Sequence, residues 1–348
     1  MTSQPDLAPI TRQLRAMYGS RLLIVAVHHI PVFSELINGP LSVAELSQRL
    51  NLQERPAHVL FPALCAMNLL TYDQTGKLYI TELGRYVSQR HTPNLSGYIE
   101  LEKDDVGAVE MAVRLRNDGP LETPNGISFV KEGDAPSPMD DPDESRRFTL
   151  GLAGRARHLS PLVAASMTRR DGHLLDVAGG TGFYTYEWLL NNPTSTATLF
   201  DRPAVLTVAQ ELLDEFSRSG RPGAESVRER VTFLPGDMLT DDLTNTDLLL
   251  AASLFHDWPT DTCQALTNRF AAALRPGGEL WVHDAFLNDA LDGPLAVTDY
   301  SAQLFWGTKG RCYSRVEHRS WFKQAGLQPT DEAIPTQLDY GLIWAKKL

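Results

Sequence analysis

Apolar and polar positions follow one rhythm in the first part of this chain and another in the second, with the change falling near residues 120 to 170. The first part is helical in spacing. Helical patterns occupy about residues 8 to 30. The block LSVAELSQRL opens on Ser42 with Glu45 three positions later, a serine and glutamate pair that caps a helix start. A second helix is expected from about Pro56 to Leu70. LTYDQTGKLYITELGRYV then shows two alternating runs around an Asp-Gln-Thr-Gly turn, followed by a short helix, and helix, helix, hairpin is the order of a winged helix. The stretch ETPNGISFVKEGDAPSPMDDPDES, rich in proline, glycine and acid, reads as a connecting loop, and helical spacing resumes from Phe148 to Met167. From His173 onward strands alternate with helices, as in a parallel sheet with crossovers, and a final pair of alternating runs from about Gln328 to Lys347 predicts an antiparallel edge hairpin. The expected parts are a winged-helix domain at 1–105, a helical linker and pocket segment at 106–170, and an α/β domain at 171–348.

Candidate chemistry begins at LLDVAGGTGFYT, Leu174 to Thr185. An apolar strand ends in Asp176, is followed by Gly179, Gly180 and Gly182, and leads into a helix. Glycine suits a turn where a ligand approaches the backbone and where a Cβ would obstruct the reversal. Asp201 ends a second apolar strand, TATLF, about 20 residues past the glycines, where an acid can bind ribose hydroxyls. A third strand, VTFLP, runs into Gly236, Asp237 and Met238, and DLLLAAS leads into Phe255, His256, Asp257 and Trp258. A dinucleotide fingerprint delivers a pyrophosphate to a helix start. Here an acid beside the loop would repel a diphosphate and suits a cation instead.

On these motifs the chain resembles the class I S-adenosylmethionine (SAM)-dependent methyltransferases. More closely it is similar to the small-molecule O-methyltransferases of the caffeic-acid type and their bacterial natural-product relatives, over nearly its whole length. The resemblance implies a Rossmann-like α/β sheet with a C-terminal antiparallel hairpin, behind a mainly α-helical winged-helix domain. SAM carries a sulfonium and an ammonium, so Asp176 would favour its methionine end, Asp201 would hold the ribose, and Asp237 with Met238 would bracket the adenine. Gly179, Gly180, Gly182, Arg202, Gly236 and Ser253 complete the expected cofactor set. In the family the winged-helix domain forms an intertwined homodimer and helps wall the partner's active site. The apolar helices at 12 to 36 suit that role, or they complete this chain's own core.

FHDWPTDTC resembles the family's HDWSDEHC element, in which the histidine is the catalytic base. The match implies His256 as base and Asp284, in ELWVHDAF, as the acid that orients its imidazole. Position alone would equally allow a satisfied histidine at a strand end. A phenol has a pKa of about 10, so about one molecule in a thousand is phenolate at pH 7, a deficit of about 4 kcal/mol. A histidine near pKa ~6.5 can accept the proton as the bond forms, worth roughly 10²- to 10⁴-fold. Holding methyl and oxygen at attack distance contributes about 7 to 11 kcal/mol more. Phe148, Leu152, Met167, Asp257, Phe305 and Trp306 are the candidate acceptor-pocket residues, with the apolar ones equally readable as core and Asp257 as a loop anchor. Two departures stand out. Gly310, in GTKGRCYS, occupies the place of a second family glutamate, and Ala252 that of a SAM-contacting lysine four residues before the histidine. They leave C- or N-methylation open.

Composition narrows the remaining classes. A chain of 348 residues suits two domains. A net charge of -11 without a basic patch disfavours a nucleic-acid partner. A SAM-sensing regulator would need a recognition helix, yet ERPAHVLFPALCAMNLL offers only Arg55 and His58 near its start. Cys65, Cys263 and Cys312 are widely spaced, consistent with reduced thiols in a cytoplasmic enzyme. No signal peptide is visible, LLIVAV is far too short to span a bilayer, and no metal-ligand cluster is apparent. His28 and His29 are expected to be packed or interfacial rather than ligands.

Overall fold

The computed structural model describes residues 5–119, 138–169 and 171–348. Of the loop expected through ETPNGISFVKEGDAPSPMDDPDES, residues 122–137 lie outside the described residues, and its last part is instead a short 3-10 turn, Pro138–Asp140, and the start of the helix Pro142–Ser166, because Asp141 caps that helix. The chain forms two compact units, one within Met1–Ser128 and Phe286–Arg315, the other within Phe129–Ala285 and Val316–Leu348. A segment after the sheet strand that carries Asp284 thus groups with the N-terminal part.

In the first unit the helix Ala8–Ile24 continues into a π-helical turn, Val25–His29, closed by the Ile30 N–H donating to the Val25 carbonyl at 2.8 Å. The widened turn presents His28 and His29 to different carbonyls, Ser96 O at 3.0 Å and Lys103 O at 2.8 Å. The helix Val43–Leu50 starts on the capping box read from sequence: Ser42 Oγ accepts from the Glu45 N–H, and the Glu45 carboxylate accepts from the Ser42 N–H at 2.8 Å. The next helix, Glu54–Ala66, stops short of Leu70 because Asn68 turns left-handed (φ 58°). Strands β1 (Leu70–Tyr72) and β2 (Leu78–Ile80) pair antiparallel, with Asp73 Oδ1 accepting from the Thr75 and Lys77 N–H groups of the turn. Leu22, Phe61, Leu64 and Phe305 are buried in one apolar core. Of residues 12 to 36, Leu22, Val25, Ala26, Ile30, Val32, Phe33 and Leu36 join this core, whereas Leu14 and Met17 are exposed.

The second unit is built on one sheet. Its strands are β3 (His173–Val177), β4 (Thr196–Asp201), β5 (Val231–Pro235), β6 (Thr246–Ala252), β7 (Leu274–Asp284), β8 (Leu327–Pro329), β9 (Ile334–Pro335) and β10 (Gly341–Lys347). The order is β5-β4-β3-β6-β7-β10-β8, with β9 also on β10. The first five strands in that order are mutually parallel, and β10 runs antiparallel to β7, β8 and β9, the edge arrangement expected from the final alternating runs. Parallel strands need both faces covered, which is why β3 and β6 read as nearly continuous apolar runs. The order reverses between β3 and β6, and a crevice at such a switch point, beyond the carboxyl ends of the strands, is where α/β sheets bind ligands. Asp176, Asp201 and Asp284 all stand at or next to those carboxyl ends. The long helix Pro142–Ser166 begins on Asp141, whose Oδ1 accepts from the Asp143 and Glu144 N–H groups at 2.9 Å.

Central packing should dominate the stability of this unit. Leu249, fully buried in β6 between β3 and β7, leaves a cavity when truncated. Leu249→Ala is expected to lower unfolding free energy by about 2–5 kcal/mol in denaturant titration.

Candidate active site

The strand-to-helix loop after β3 is held by carboxylates. Asp176 is fully buried, and its Oδ2 accepts from the Thr185 hydroxyl at 2.7 Å. Its Oδ1 has no hydrogen-bond partner among the described residues. Ala178, Gly180 and Gly182 have φ of 54°, 56° and 76°, so the loop uses left-handed backbone at three positions. The glycines have separable reasons. A Cβ on Gly179 would lie 2.2 Å from Leu199 Cδ1, on Gly182 2.2 Å from the Tyr186 hydroxyl, and on Gly236 2.5 Å from the Phe200 ring. At Gly180 a Cβ would meet only the Ala178 carbonyl at 4.0 Å. Three glycines therefore serve the protein's own packing, and Gly180 faces open space.

Asp201 pins this loop: Oδ2 accepts from the Gly180 N–H at 2.8 Å and Oδ1 from the Arg202 N–H at 2.7 Å. Arg202 bridges two acids, Asp237 at 3.3 Å through Nη1 and Asp140 through Nε at 2.7 Å. Asp237 Oδ1 also accepts from the Leu239 N–H, and the half-buried Met238 gives its carbonyl to Arg269. Ser253 follows β6 with φ 54°, its N–H bonded to the His283 carbonyl at 2.8 Å and its buried Oγ without a partner among the described residues. Burial pushes the Asp176 carboxyl up to about 7 against the Thr185 hydrogen bond. It pushes Asp201 up to about 6 against the two N–H donors and Arg202. Acids held in this way favour a cation. The open space at Gly180 and the unpartnered Asp176 Oδ1 and Ser253 Oγ fit the cationic methionine end of SAM, which Asp176 would hold, with Asp201 left for the ribose hydroxyls.

A second cluster lies at the ends of β6 and β7. His256, 4 % exposed, sits in the short turn Phe255–Asp257, and its Nδ1 meets Asp284 Oδ1 at 2.5 Å. The same oxygen accepts from the Ala285 N–H at 2.8 Å, and Asp284 Oδ2 has no partner among the described residues. The carboxylate thus fixes a tautomer with the proton on Nδ1, leaving Nε2 as the basic nitrogen, 3.8 Å from Asp257 Oδ1. Burial alone would lower the proton affinity of the imidazole. Asp284 and Asp257 outweigh it, so its pKa lies above the ordinary 6.5, with Arg155 opposing. Asp284 is held below its usual range despite burial, because His256 faces it. Asp257 is raised, by burial first and then by Asp284.

The candidate pocket residues do not share one environment. Phe148 and Leu152 are half-buried one turn apart on the helix Pro142–Ser166, and Met167, just past its end, is fully buried. Phe305 and Trp306 belong to the other unit. There Phe305 is enclosed in the core with the Arg55 guanidinium 4.6 Å from its ring, and Trp306 packs edge-on against Tyr18. Gly310 carries no acid, and its carbonyl, like that of Thr308, accepts from Arg55 Nη1. Ala252 lies opposite His283 in the sheet register. Arg55, which also pairs with Asp118, and the helix Glu54–Ala66 that carries it are committed to the first unit's interior, which leaves little for reading DNA. Sequence reading passed over Thr185, Tyr184, Arg155, His283 and Tyr340. Thr185 was findable as the hydroxyl one helical turn past the glycines; the others meet only through the fold. No described helix is long and apolar enough to cross a membrane.

Comparison with known proteins is consistent with this geometry. The model of the O-methyltransferase domain family matches residues 126–328. The 3-hydroxy-5-methyl-1-naphthoate 3-O-methyltransferase of Streptomyces sahachiroi is 27 % identical over 309 residues, covering 85 % of this chain and 82 % of that protein. The N,N-dimethyltransferase OxyT of Streptomyces rimosus is 26 % identical with both chains fully covered. A solved O-methyltransferase family 2 protein from Planctomyces limnophilus DSM 3776, in complex with apigenin, is 34 % identical, with a TM-score of 0.86 over 100 % of this chain and 98 % of that one. Solved proteins of the same fold include complexes with SAM. The chain belongs to the O-methyltransferase domain family and is a SAM-dependent O-methyltransferase.

Proposed function

We propose that the protein methylates a hydroxyl oxygen of a phenolic or enolic small molecule in natural-product biosynthesis, with His256 as general base. The observation that carries this reading is the buried imidazole whose Nδ1 is held by Asp284, which leaves Nε2 to receive a proton. SAM supplies a methyl group made electrophilic by its sulfonium. His256 Nε2 takes the hydroxyl proton as the oxygen attacks, and Asp284 stabilises the imidazolium that results. Burial of the dyad keeps water from competing for the proton. A polyphenol such as apigenin, which the similar Planctomyces protein binds, is the first acceptor to test. The likeness to OxyT favours nitrogen as a second reading. An amine is already nucleophilic once neutral, so its transfer would depend little on His256.

We also infer a homodimer formed through the first unit. Ile10, Leu14 and Met17, exposed on one stripe of the helix Ala8–Ile24, and Tyr98 and Leu101 beyond it, are large apolar groups suited to cover by a second copy. Light scattering should give twice the 38.6 kDa chain mass, and Leu14→Asp with Met17→Asp should give monomer; a wild-type monomer at micromolar concentration rejects the dimer.

The cofactor assignment predicts a pH-dependent affinity. Asp176, pushed to about 7, is partly protonated in the free protein near neutrality, and the cationic end of SAM draws it into the carboxylate form. SAM affinity should therefore rise from pH 6 to pH 8, with proton release visible as a dependence of calorimetric heat on buffer ionisation enthalpy. Asp176→Asn should weaken binding by about tenfold or more, roughly 1.4 kcal/mol, and remove most of that pH dependence. Unchanged affinity would overturn the assignment.

For the base, His256→Ala should reduce turnover by roughly 10²- to 10⁴-fold with SAM affinity nearly unchanged, and raising the pH should partly restore it. Asp284→Asn should cost less. Because the imidazole must be neutral to act and its pKa lies above 6.5, kcat/KM of the wild type should climb with pH through a value above 6.5 and then level. Near wild-type turnover in His256→Ala would reject the general base.

A further inference from the structure

Arg202 is a cofactor residue on sequence grounds, yet its guanidinium is committed to the protein's own acids. Nε and Nη2 both meet Asp140 Oδ1, at 2.7 and 2.5 Å, and Nη1 lies 3.3 Å from Asp237 Oδ2. Its backbone N–H donates to Asp201 Oδ1 at 2.7 Å. One residue thus ties together three carboxylates: Asp201 at the end of β4, Asp237 just past β5, and Asp140 from the turn Pro138–Asp140, 62 positions before Arg202. The turn is held from its other side as well. Ser145, fully buried near the start of the helix Pro142–Ser166, donates from Oγ to the Met139 carbonyl at 3.1 Å, and the Asp141 N–H donates to the Pro138 carbonyl at 3.2 Å. The side chains of Arg202 and Asp140 are 25 % and 34 % exposed, less than any side chain of the pairs Arg146–Glu211 and Arg157–Glu215 that join the helices Pro142–Ser166 and Pro203–Ser217.

We propose that Asp140 is a positioning residue for SAM: through Arg202 it clasps the turn Pro138–Asp140 to Asp201 and Asp237, the acids that would hold the adenosyl end of the cofactor. Ribose and adenine are neutral, so they bring no counter-charge to these two acids. The acids stand at the ends of neighbouring parallel strands, and their charges repel unless the protein supplies a cation between them. Arg202 supplies it, with its N–H on one carboxylate and Nη1 beside the other. A guanidinium is a rigid planar fork, so the edge that Asp140 takes, Nε with Nη2, fixes where Nη1 points. Without Asp140 the Arg202 side chain loses its outer anchor, Asp237 loses a steady partner, and the turn keeps only its bond from Ser145. The role rests on the placement of the ribose at Asp201 and the adenine at Asp237, and it goes beyond that placement by giving the turn ahead of the long helix a part in holding the cofactor.

The test is calorimetric binding of SAM and of S-adenosylhomocysteine (SAH), which shares the adenosyl end and lacks the sulfonium charge, to the full-length protein. Asp140→Asn should weaken both by the same factor, about fivefold, the upper scale of a partly exposed ion pair. The preference between the two ligands should stay that of the wild type, whereas Asp176→Asn should weaken SAM more than SAH. Because the clasp is an ion pair, the gap between wild type and Asp140→Asn should narrow as salt is raised to about 1 M, which a loss of packing would not do. Arg202→Gln should weaken both ligands at least as much, and adding Asp140→Asn to it should cost nothing further. Asp140→Ser is the second neutral variant should the first not fold. Unchanged SAH affinity in the Asp140 variants overturns the proposal. So does a loss that persists in full on the Arg202→Gln background, since Asp140 would then act by another route. An Asp201→Asn protein that binds SAH as tightly as the wild type refutes the ribose placement separately, and the cycle between Asp140 and Arg202 still decides whether their pairing holds the cofactor.

Discussion

Carboxylates buried at the carboxyl edge of a parallel sheet are the constraint on which the second unit depends. Asp176 and Asp284 are buried and Asp201 half-buried at or beside strand ends, and a charge withdrawn from water is tolerated only where donors replace it. Each recruits them locally. Thr185 bonds Asp176, the Gly180 and Arg202 N–H groups bond Asp201, and Ala285 with His256 bonds Asp284. These bonds set the shape of the glycine loop and the angle of the imidazole. They leave one oxygen of Asp176 and one of Asp284 without a partner among the described residues.

Much of this was legible because it is local in sequence. The Ser42 and Glu45 capping pair, the glycine loop with Asp201 after the next strand, and the alternating runs behind β10 each depend on neighbours a few residues apart or on one strand's pattern. The meaning of individual glycines was less accessible. Gly179, Gly182 and Gly236 look like cofactor glycines in the sequence, yet each is required by a side chain of the chain itself, Leu199, Tyr186 or Phe200. A glycine does not say which neighbour forbids its Cβ.

Contacts across long separations were not legible at all. Phe305 is an aromatic in a motif-bearing stretch, and only the packing of the helix Leu295–Gly307 within the first unit puts it in a core. Arg155 and Tyr340 meet across 185 positions, and neither carries a motif. The histidine before Asp284 was hidden by its neighbour: strand alternation separates His283 from the face of Asp284, and its neutrality follows from a burial that no spacing announces.

The π-helical turn at Val25–His29 converts chain length into angle. One surplus residue in a helical turn displaces everything beyond it by roughly 100° of rotation, since an α-helix turns by that amount per residue. His28 and His29 reach carbonyls from two separate segments, at Ser96 and Lys103, because the surplus is present. A chain shortened by one residue here would regain an unbroken α-helix and lose the phase that lets both rings find their acceptors. In this part of the first unit the number of residues is as strongly specified as their identity.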